Sequence, residues 1–160
     1  MVNHLESSQQ SYTIFNAPKG EVKFNPDGLS VEHQKIVRQV ALDTFKSIPE
    51  ESACVLRRCN WFVDTAFPNL KQLCDSHLDL NDPRIVGCDF NPFDQHYWLE
   101  VDVVSNTGNQ AVIIDPIFGY VGLKEKAVYG STYYRNEKTR AVPHGVSREN
   151  GGVRVNTMSI

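Results

Sequence analysis

The sequence predicts a single α+β domain in which helices pack on an antiparallel sheet. A length of 160 residues suits one domain with one hydrophobic core. Two segments with helical spacing of apolar residues come first, at 31–45 and 52–74, and segments rich in β-forming residues follow from residue 84. Helices grouped before strands are typical of α+β domains rather than of alternating βαβ units.

The first helix is predicted from its cap and its periodicity. Ser30 is a favourable N-cap residue, and Pro49 closes the region. A helical stripe between them is formed by Val31, Ile36, Val37, Val40, Ala41 and Phe45.

The ends of the chain are more polar than its middle. Residues 1–28 are rich in turn signals, and we expect an extended arm there, with a short strand near 12–15. The core is expected to cover residues 29–134. Residues 135–160 form a polar tail in which apolar periodicity fades, so we expect the tail to add little to the core.

The second helical region contains a cysteine and a proline. Counted forward from Cys59, apolar residues recur at offsets of +3, +4, +7, +8, +11 and +14, which places them on one helical face. Pro68 lies inside this pattern. Because proline removes a backbone donor, we expect it to kink the helix or to split it in two.

The strand region predicts a hairpin. Residues 84–88 form a short β-like run, and residues 96–104 form a longer one. The turn-rich segment 105–109 follows, and the apolar strand 110–115 ends before Pro116. Two β-segments around a short turn favour an antiparallel pair.

Composition excludes some functions and weakens others. The formal net charge is -3, and the Lys and Arg residues are scattered, so a nucleic-acid partner is not expected. No apolar run approaches the length of a membrane span, and Met1 to Ser11 lack the apolar core of a signal peptide. We therefore expect a cytoplasmic protein, or one exported without a signal peptide of that type, and no membrane partner.

Four cysteines are present, at positions 54, 59, 74 and 88. Without a signal peptide they are expected to be reduced thiols. No C-x-x-C pair occurs, and the spacing of Cys54 and Cys59 does not suit a zinc site. We expect neither a metal nor an organic cofactor.

The hairpin brings a histidine and an aspartate together. His96, Trp98 and Glu100 alternate onto one face of their strand, and Asp115 ends the next strand. A turn centred near residue 106 places His96 and Asp115 almost opposite each other. A carboxylate beside an imidazole fixes its tautomer and stabilises its cation, as a general base requires.

Cys59 is the candidate nucleophile for this pair. It lies on the apolar helical face that must pack on a sheet, and Arg57 and Arg58 precede it, which favours the thiolate. The alternative is a buried packing thiol. Cys54 remains a rival nucleophile, since Ser52 can cap a helix there. Cys74 and Cys88 are expected to be packing thiols.

Three segments resemble transglutaminase-like enzymes. Cys59-Asn60-Trp61-Phe62 is similar to the start of their catalytic helix, with an aromatic residue three positions after the cysteine, a pattern that papain-like enzymes share. Arg84-Ile85-Val86-Gly87 resembles a shortened form of a second motif. His96-Tyr97-Trp98-Leu99-Glu100-Val101, followed by Asp115-Pro116, resembles their histidine strand and aspartate turn. The resemblance covers about residues 55–120 and is nearest to compact bacterial protein-glutamine deamidases.

The resemblance implies a transglutaminase- or papain-like core and a Cys–His–Asp triad. Cys59 would attack a carbonyl, His96 would carry the proton, and Asp115 would orient His96. The implied substrate is a glutamine side chain of a protein or peptide, which is deamidated or transamidated. A cysteine peptidase and an inactive binding module of the same fold are the alternatives. Trp98 and Trp61 are the candidate substrate contacts, with core packing as the alternative for each.

Overall fold

The structure is a computed structural model of the chain. It describes residues 12–17, 20–46, 59–91, 94–128, 131–144, 146–147 and 154–155. The elements follow in the order β1 (Tyr12–Ala17), β2 (Gly20–Phe24), α1 (Val31–Lys46), α2 (Cys59–Asp75), β3 (Leu80–Asn91), β4 (Asp94–Ser105), β5 (Gly108–Asp115), β6 (Tyr120–Leu123), a 3-10 turn (Lys124–Lys126), α3 (Ser131–Tyr134), β7 (Thr139–Val142), β8 (Val146–Ser147) and β9 (Arg154–Val155).

The predicted α+β class is confirmed at the level of mixed helices and sheet. Seven strands form one sheet in the order β1-β2-β6-β5-β4-β3-β7, and β8 pairs with β9 separately. The pairs of this sheet are antiparallel, as expected, except for β2 and β6, which run parallel. β2 and β6 are distant in sequence, and no local hairpin fixes their direction.

Segments of the predicted arm and tail contribute strands to the sheet, and β1 confirms the short strand expected near 12–15. β1 and β2 form one edge of it, and Val22 and Phe24 are each 1% exposed. β7 pairs with β3 at the opposite edge, and Val142 is buried there. The alternation of Val22 and Phe24 with charged residues is a strand pattern, and strands of four to six residues are enough to extend a sheet.

α1 begins as predicted. The hydroxyl of Ser30 accepts a hydrogen bond from the backbone N–H of His33 at 3.1 Å, which is the interaction of an N-cap. Val37, Val40, Ala41 and Phe45 are buried on the side of α1 that faces the core.

α2 runs through Pro68 without a break, so the proline does not split this helix. Proline has no N–H for the carbonyl four residues earlier, which is that of Asp64. Nε2 of His144 lies 3.0 Å from that carbonyl oxygen, and the imidazole lies tilted against Phe67 with 5.2 Å between ring centroids. Because a carbonyl only accepts, the His144 Nε2–H donates, and a residue of the tail replaces the hydrogen bond that the proline removes.

The two faces of the sheet are covered differently. On the first, which we term the helical face, α1 and α2 pack on Tyr97, Leu99, Val101 and Val103. On the second, which we term the aromatic face, the cluster comprises Val86, Cys88, Trp98, Ile113, Ala127 and Tyr134, with Phe90, Phe118, Tyr120 and Tyr133 packed against it. His96, Glu100 and Asp115 are the buried polar residues of this second face.

Among the described residues, the helices are too short or too polar for any of them to span a lipid bilayer.

Candidate active site

The hairpin of β4 and β5 places His96 next to Asp115. Leu99 pairs with Ile114, so Asp115 lies level with Trp98 and one diagonal step from His96 on the same face. Nε2 of His96 lies 2.6 Å from Oδ2 of Asp115. The predicted contact across adjacent antiparallel strands is therefore confirmed, although the two residues are offset by two positions rather than opposed.

The turn after β5 fixes the carboxylate. Oδ1 of Asp115 accepts hydrogen bonds from the backbone N–H groups of Ile117 at 2.9 Å and Phe118 at 3.0 Å. An aspartate before proline commonly binds the next backbone donors in this way, because proline fixes the first turn residue and leaves those donors unpaired. Asp115 thus both begins a turn and hydrogen-bonds His96.

The second oxygen of Asp115 binds a residue that the sequence analysis did not find. Tyr134 donates its hydroxyl hydrogen to Oδ2 at 2.7 Å, and both residues are fully buried. With His96 and two backbone amides, four donors surround one carboxylate. This arrangement compensates for the removal of a charge from water. The polar sequence around Tyr134, Ser131-Thr132-Tyr133-Tyr134-Arg135, gave no sign of this partner.

The contacts of Asp115 define the tautomer of His96. An ionised carboxylate only accepts hydrogen bonds, so Nε2 of His96 carries hydrogen and donates it. In the neutral ring, Nδ1 is then the nitrogen that accepts a proton. This is the orientation that a general base needs when a carboxylate holds the far side of its ring.

Aromatic rings enclose the imidazole. Phe118 stacks on His96 with ring centroids 3.8 Å apart, Trp98 lies at 5.4 Å, and Tyr133 meets the ring edge-on at 5.5 Å. His96 is 3% exposed. The rings hold the imidazole in one orientation and exclude water from the His96–Asp115 bond, which strengthens it.

An ionic network surrounds Glu100, four residues after His96 on β4. Glu100 is 1% exposed and accepts hydrogen bonds from Arg84 at 2.9 Å and from the Trp98 indole at 2.8 Å, and Lys124 lies 3.1 Å away. Burial acts to lower the pKa of Arg84, but the charges of Glu100 and Asp102 together outweigh burial and raise that pKa. The ion pair between Arg84 and Glu100 helps to fix the register in which β3 pairs with β4.

The two tryptophans lie in different elements, Trp98 in β4 and Trp61 in α2. Trp98 is fully buried, and its indole N–H donates a hydrogen bond to Glu100. In this structure Trp98 therefore packs in the core, as the alternative for this residue expected. Trp61 belongs to α2, but its side chain lies outside the described part of the structure. Substrate contact by either residue stays a prediction.

α2 packs on the opposite face of the sheet from His96. Phe62, Val63 and Ala66 belong to the cluster of the helical face, together with Tyr97 and Leu99. The expectation that this stripe packs on the sheet is confirmed, but it packs on the face opposite His96. The cause is the alternation of β4, which turns its apolar residues toward the helices and His96 away from them. Cys59 is the first residue of α2, but its side chain, like all of Cys54, lies outside the described residues.

Another thiol lies next to His96. Cys88 of β3 is the direct cross-strand partner of His96, belongs to the aromatic face, and is fully buried. Cys74 packs at the end of α2 on the helical face. Burial and the charge of Asp75 raise the pKa of the Cys74 thiol to about 11, which makes it unreactive. The prediction that Cys74 and Cys88 are packing thiols agrees with their burial.

Among the described residues, His96 is 3% exposed and the cavity given by the structure lies elsewhere. A cavity of about 330 Å³ lies between β1, β2 and α1, and is lined by Tyr12, Phe24, Val31, Gln34, Lys35 and Arg38. None of these residues belongs to the aromatic face. In the described ranges, no group of three or more His, Cys, Asp or Glu side chains is arranged to hold a metal ion.

Comparison of the chain with protein-family models, curated proteins and solved structures gives no match. The likeness to transglutaminase-like enzymes therefore depends on the three sequence motifs.

Proposed function

We propose that this chain is a thiol-dependent amide hydrolase or acyltransferase whose acid–base pair is His96 and Asp115. The observation that carries the proposal is the buried 2.6 Å hydrogen bond between Nε2 of His96 and Oδ2 of Asp115. Two backbone amides and Tyr134 hold the same carboxylate. A histidine oriented in this way is suited to take a proton from a thiol and return it to a leaving group.

Cys59 is the proposed nucleophile. It is the first residue of α2, where the unpaired N–H groups of a helix favour a thiolate. The backbone N–H of Cys59 would contribute to an oxyanion hole. Because α2 packs on the helical face, Cys59 would have to approach His96 around the end of the sheet. Cys88, the cross-strand neighbour of His96, is therefore the competing thiol.

The reaction would proceed through a thioester. The thiol gives its proton to Nδ1 of His96 as the sulfur attacks the carboxamide carbon. His96 then passes the proton to the departing ammonia or amine, which leaves the acyl group on sulfur. Water attacks the thioester to give a carboxylic acid, or an amine attacks it to give a new amide, and the thiol is restored.

The proposed substrate is a glutamine side chain of a protein or peptide, because the motifs resemble those of transglutaminase-like enzymes and glutamine deamidases. Deamidation and transamidation use the same first step and differ in whether water or an amine resolves the thioester. Peptide hydrolysis is the alternative enzyme activity, since the same groups can attack a backbone carbonyl.

A covalent label tests the proposal directly. The full chain is treated with an electrophilic glutamine analogue, and the modified cysteine is identified by peptide mapping. We expect one adduct, at Cys59, which is lost when His96 is changed to Ala, while Cys74 serves as the unreactive internal reference. An adduct at Cys54 or Cys88 would contradict the assignment of the nucleophile. No adduct on the folded protein would contradict the enzyme proposal.

The second candidate function is a non-catalytic binding module of the same architecture. The observation that favours it is the 3% exposure of His96 beneath Phe118 and Tyr133. A general base must come within hydrogen-bond reach of its substrate. Ammonia release from glutamine-containing proteins, measured with wild type and with Cys59→Ala, separates the two. Equal release by both proteins would favour the binding module.

A further inference from the structure

Tyr134 is fixed by contacts that do not involve the acid–base pair. Its ring packs edge-on against Trp98 at 4.9 Å between centroids and is fully buried. The next residue, Arg135, donates to the carbonyl oxygens of Lys124 at 2.6 Å and Ala127 at 2.9 Å. α3 is thereby attached to the turn after β6, and the position of the Tyr134 hydroxyl does not depend on Asp115 for its support.

The hydroxyl of Tyr134 and the ring of His96 share one oxygen. Both bind Oδ2 of Asp115, at 2.7 Å and 2.6 Å, while Oδ1 binds two backbone amides. Within the described ranges, titratable groups that face His96 include Cys88 from β3, Asp115 from β5, and Tyr133 and Tyr134 from α3. The Asp115 carboxylate hydrogen-bonds the imidazole, so other donors to Oδ2 compete directly with the imidazole for its negative charge.

We propose that Tyr134 is a positioning residue that tunes the basicity of His96 through Asp115. A hydroxyl that donates to Oδ2 takes up part of the charge that would otherwise stabilise the imidazolium form of His96. Tyr134 therefore keeps His96 neutral at a lower pH than Asp115 alone would allow. This inference deepens the proposed function, because a neutral imidazole is the form that accepts a proton from the thiol.

The test is the titration of His96 in the full chain, followed by NMR of labelled histidine. Tyr134→Phe keeps the ring and removes the donor, and we expect it to raise the pKa of His96 by about one unit, the typical effect of one hydrogen bond to a charged group. Replacement of Tyr134 by a difluorotyrosine, whose hydroxyl is a stronger donor, should lower the pKa of His96.

A matched variant excludes a purely structural explanation. Tyr120→Phe removes another hydroxyl of the aromatic face, which donates to the carbonyl of Leu123 at 2.8 Å, and keeps the Tyr134 bond. It should leave the titration of His96 unchanged. If Tyr134→Phe behaves like this control, or lowers the pKa of His96, the inference is wrong. The measurement needs no substrate, so its outcome is independent of the cysteine labelling.

Discussion

β4 separates two environments that differ in how they are stabilised. On the helical face, Leu99, Val101 and Val103 are at most 1% exposed and pack against helices through apolar contacts alone. On the aromatic face, His96 and Glu100 are also buried, and each is held by a charged partner. The comparison teaches that one strand can serve the core with one set of residues and a chemical site with the other, since a two-residue period keeps them apart.

The largest effect is expected from loss of the carboxylate on the aromatic face. Asp115→Ala leaves His96, Tyr134 and two backbone amides without their acceptor in a buried place. We expect the free energy of unfolding to fall by about 3–5 kcal/mol, as for other buried networks that lose one member. Urea unfolding measures the change.

The control for that variant is Asp75→Ala, which removes an exposed carboxylate at the end of α2. Its effect on the unfolding free energy should be within about 0.5 kcal/mol. Similar losses for the two variants would show that the buried network adds nothing to stability.

Leu70→Ala weakens the packing of the helical face. Leu70 is fully buried on α2, and its truncation should cost about 2–4 kcal/mol through lost burial and an unfilled cavity. Because the two faces are supported separately, we expect the NMR titration of His96 to be unchanged in the folded variant. A shifted His96 titration in Leu70→Ala would show that the faces are coupled through β4.

A smaller effect is expected where the tail meets α2. His144→Ala removes the donor to the Asp64 carbonyl and should cost about 1 kcal/mol. In a Pro68→Ala background the new backbone N–H can bind that carbonyl, so the same His144→Ala change should cost close to nothing. A double-mutant cycle by urea unfolding tests this, and equal costs in both backgrounds would contradict the compensation.

The smallest effects concern alkaline pH, and they differ between the faces. Burial raises the pKa of Tyr120, beside the aromatic face, to about 12 from its ordinary 10.0. Above pH 10 the unfolded phenol ionises while the folded one keeps its proton, so stability falls as pH rises from 10 to about 12. Cys74, on the helical face, should cause a similar fall between pH 9 and about 11.

Unfolding of Tyr120→Phe and of Cys74→Ala across this range separates the two contributions. Tyr120→Phe should lack the loss of stability between pH 10 and about 12, and Cys74→Ala should lack the loss between pH 9 and about 11. Each variant should keep the loss that the other residue causes. A pH dependence identical to that of wild type in both variants would mean that neither group is responsible.

Alternation and turn chemistry predicted the hairpin and the His96–Asp115 contact, because both depend on neighbouring residues. The pairing of Cys88 with His96 required the β3 register, which Arg84 and Glu100 help to fix across strands. Tyr134 reaches Asp115 through tertiary packing, and its local sequence carries no mark of that bond. The face on which α2 packs could not be read from the periodicity of α2, since an apolar stripe indicates burial but not which side of a sheet it covers.

The same distinction between local and distant information applies to the strands in the predicted arm and tail. β1 and β2 are short and flanked by turn residues, and β7 has only four residues. The strand near 12–15 was predicted, but the pairing of β2 with β6 and of β7 with β3 joins segments far apart in the sequence, which local propensity does not show.

The parallel contact between β2 and β6 has a consequence for the order of assembly during synthesis. Lys23 pairs with Tyr120, so β2 leaves the ribosome before its partner β6, which is made about a hundred residues later. β3, β4, β5 and β6 can pair successively as each is completed, because each adjoins the one before it. We therefore expect the meander of β3 to β6 to form first and the hairpin of β1 and β2 to be added to it afterwards.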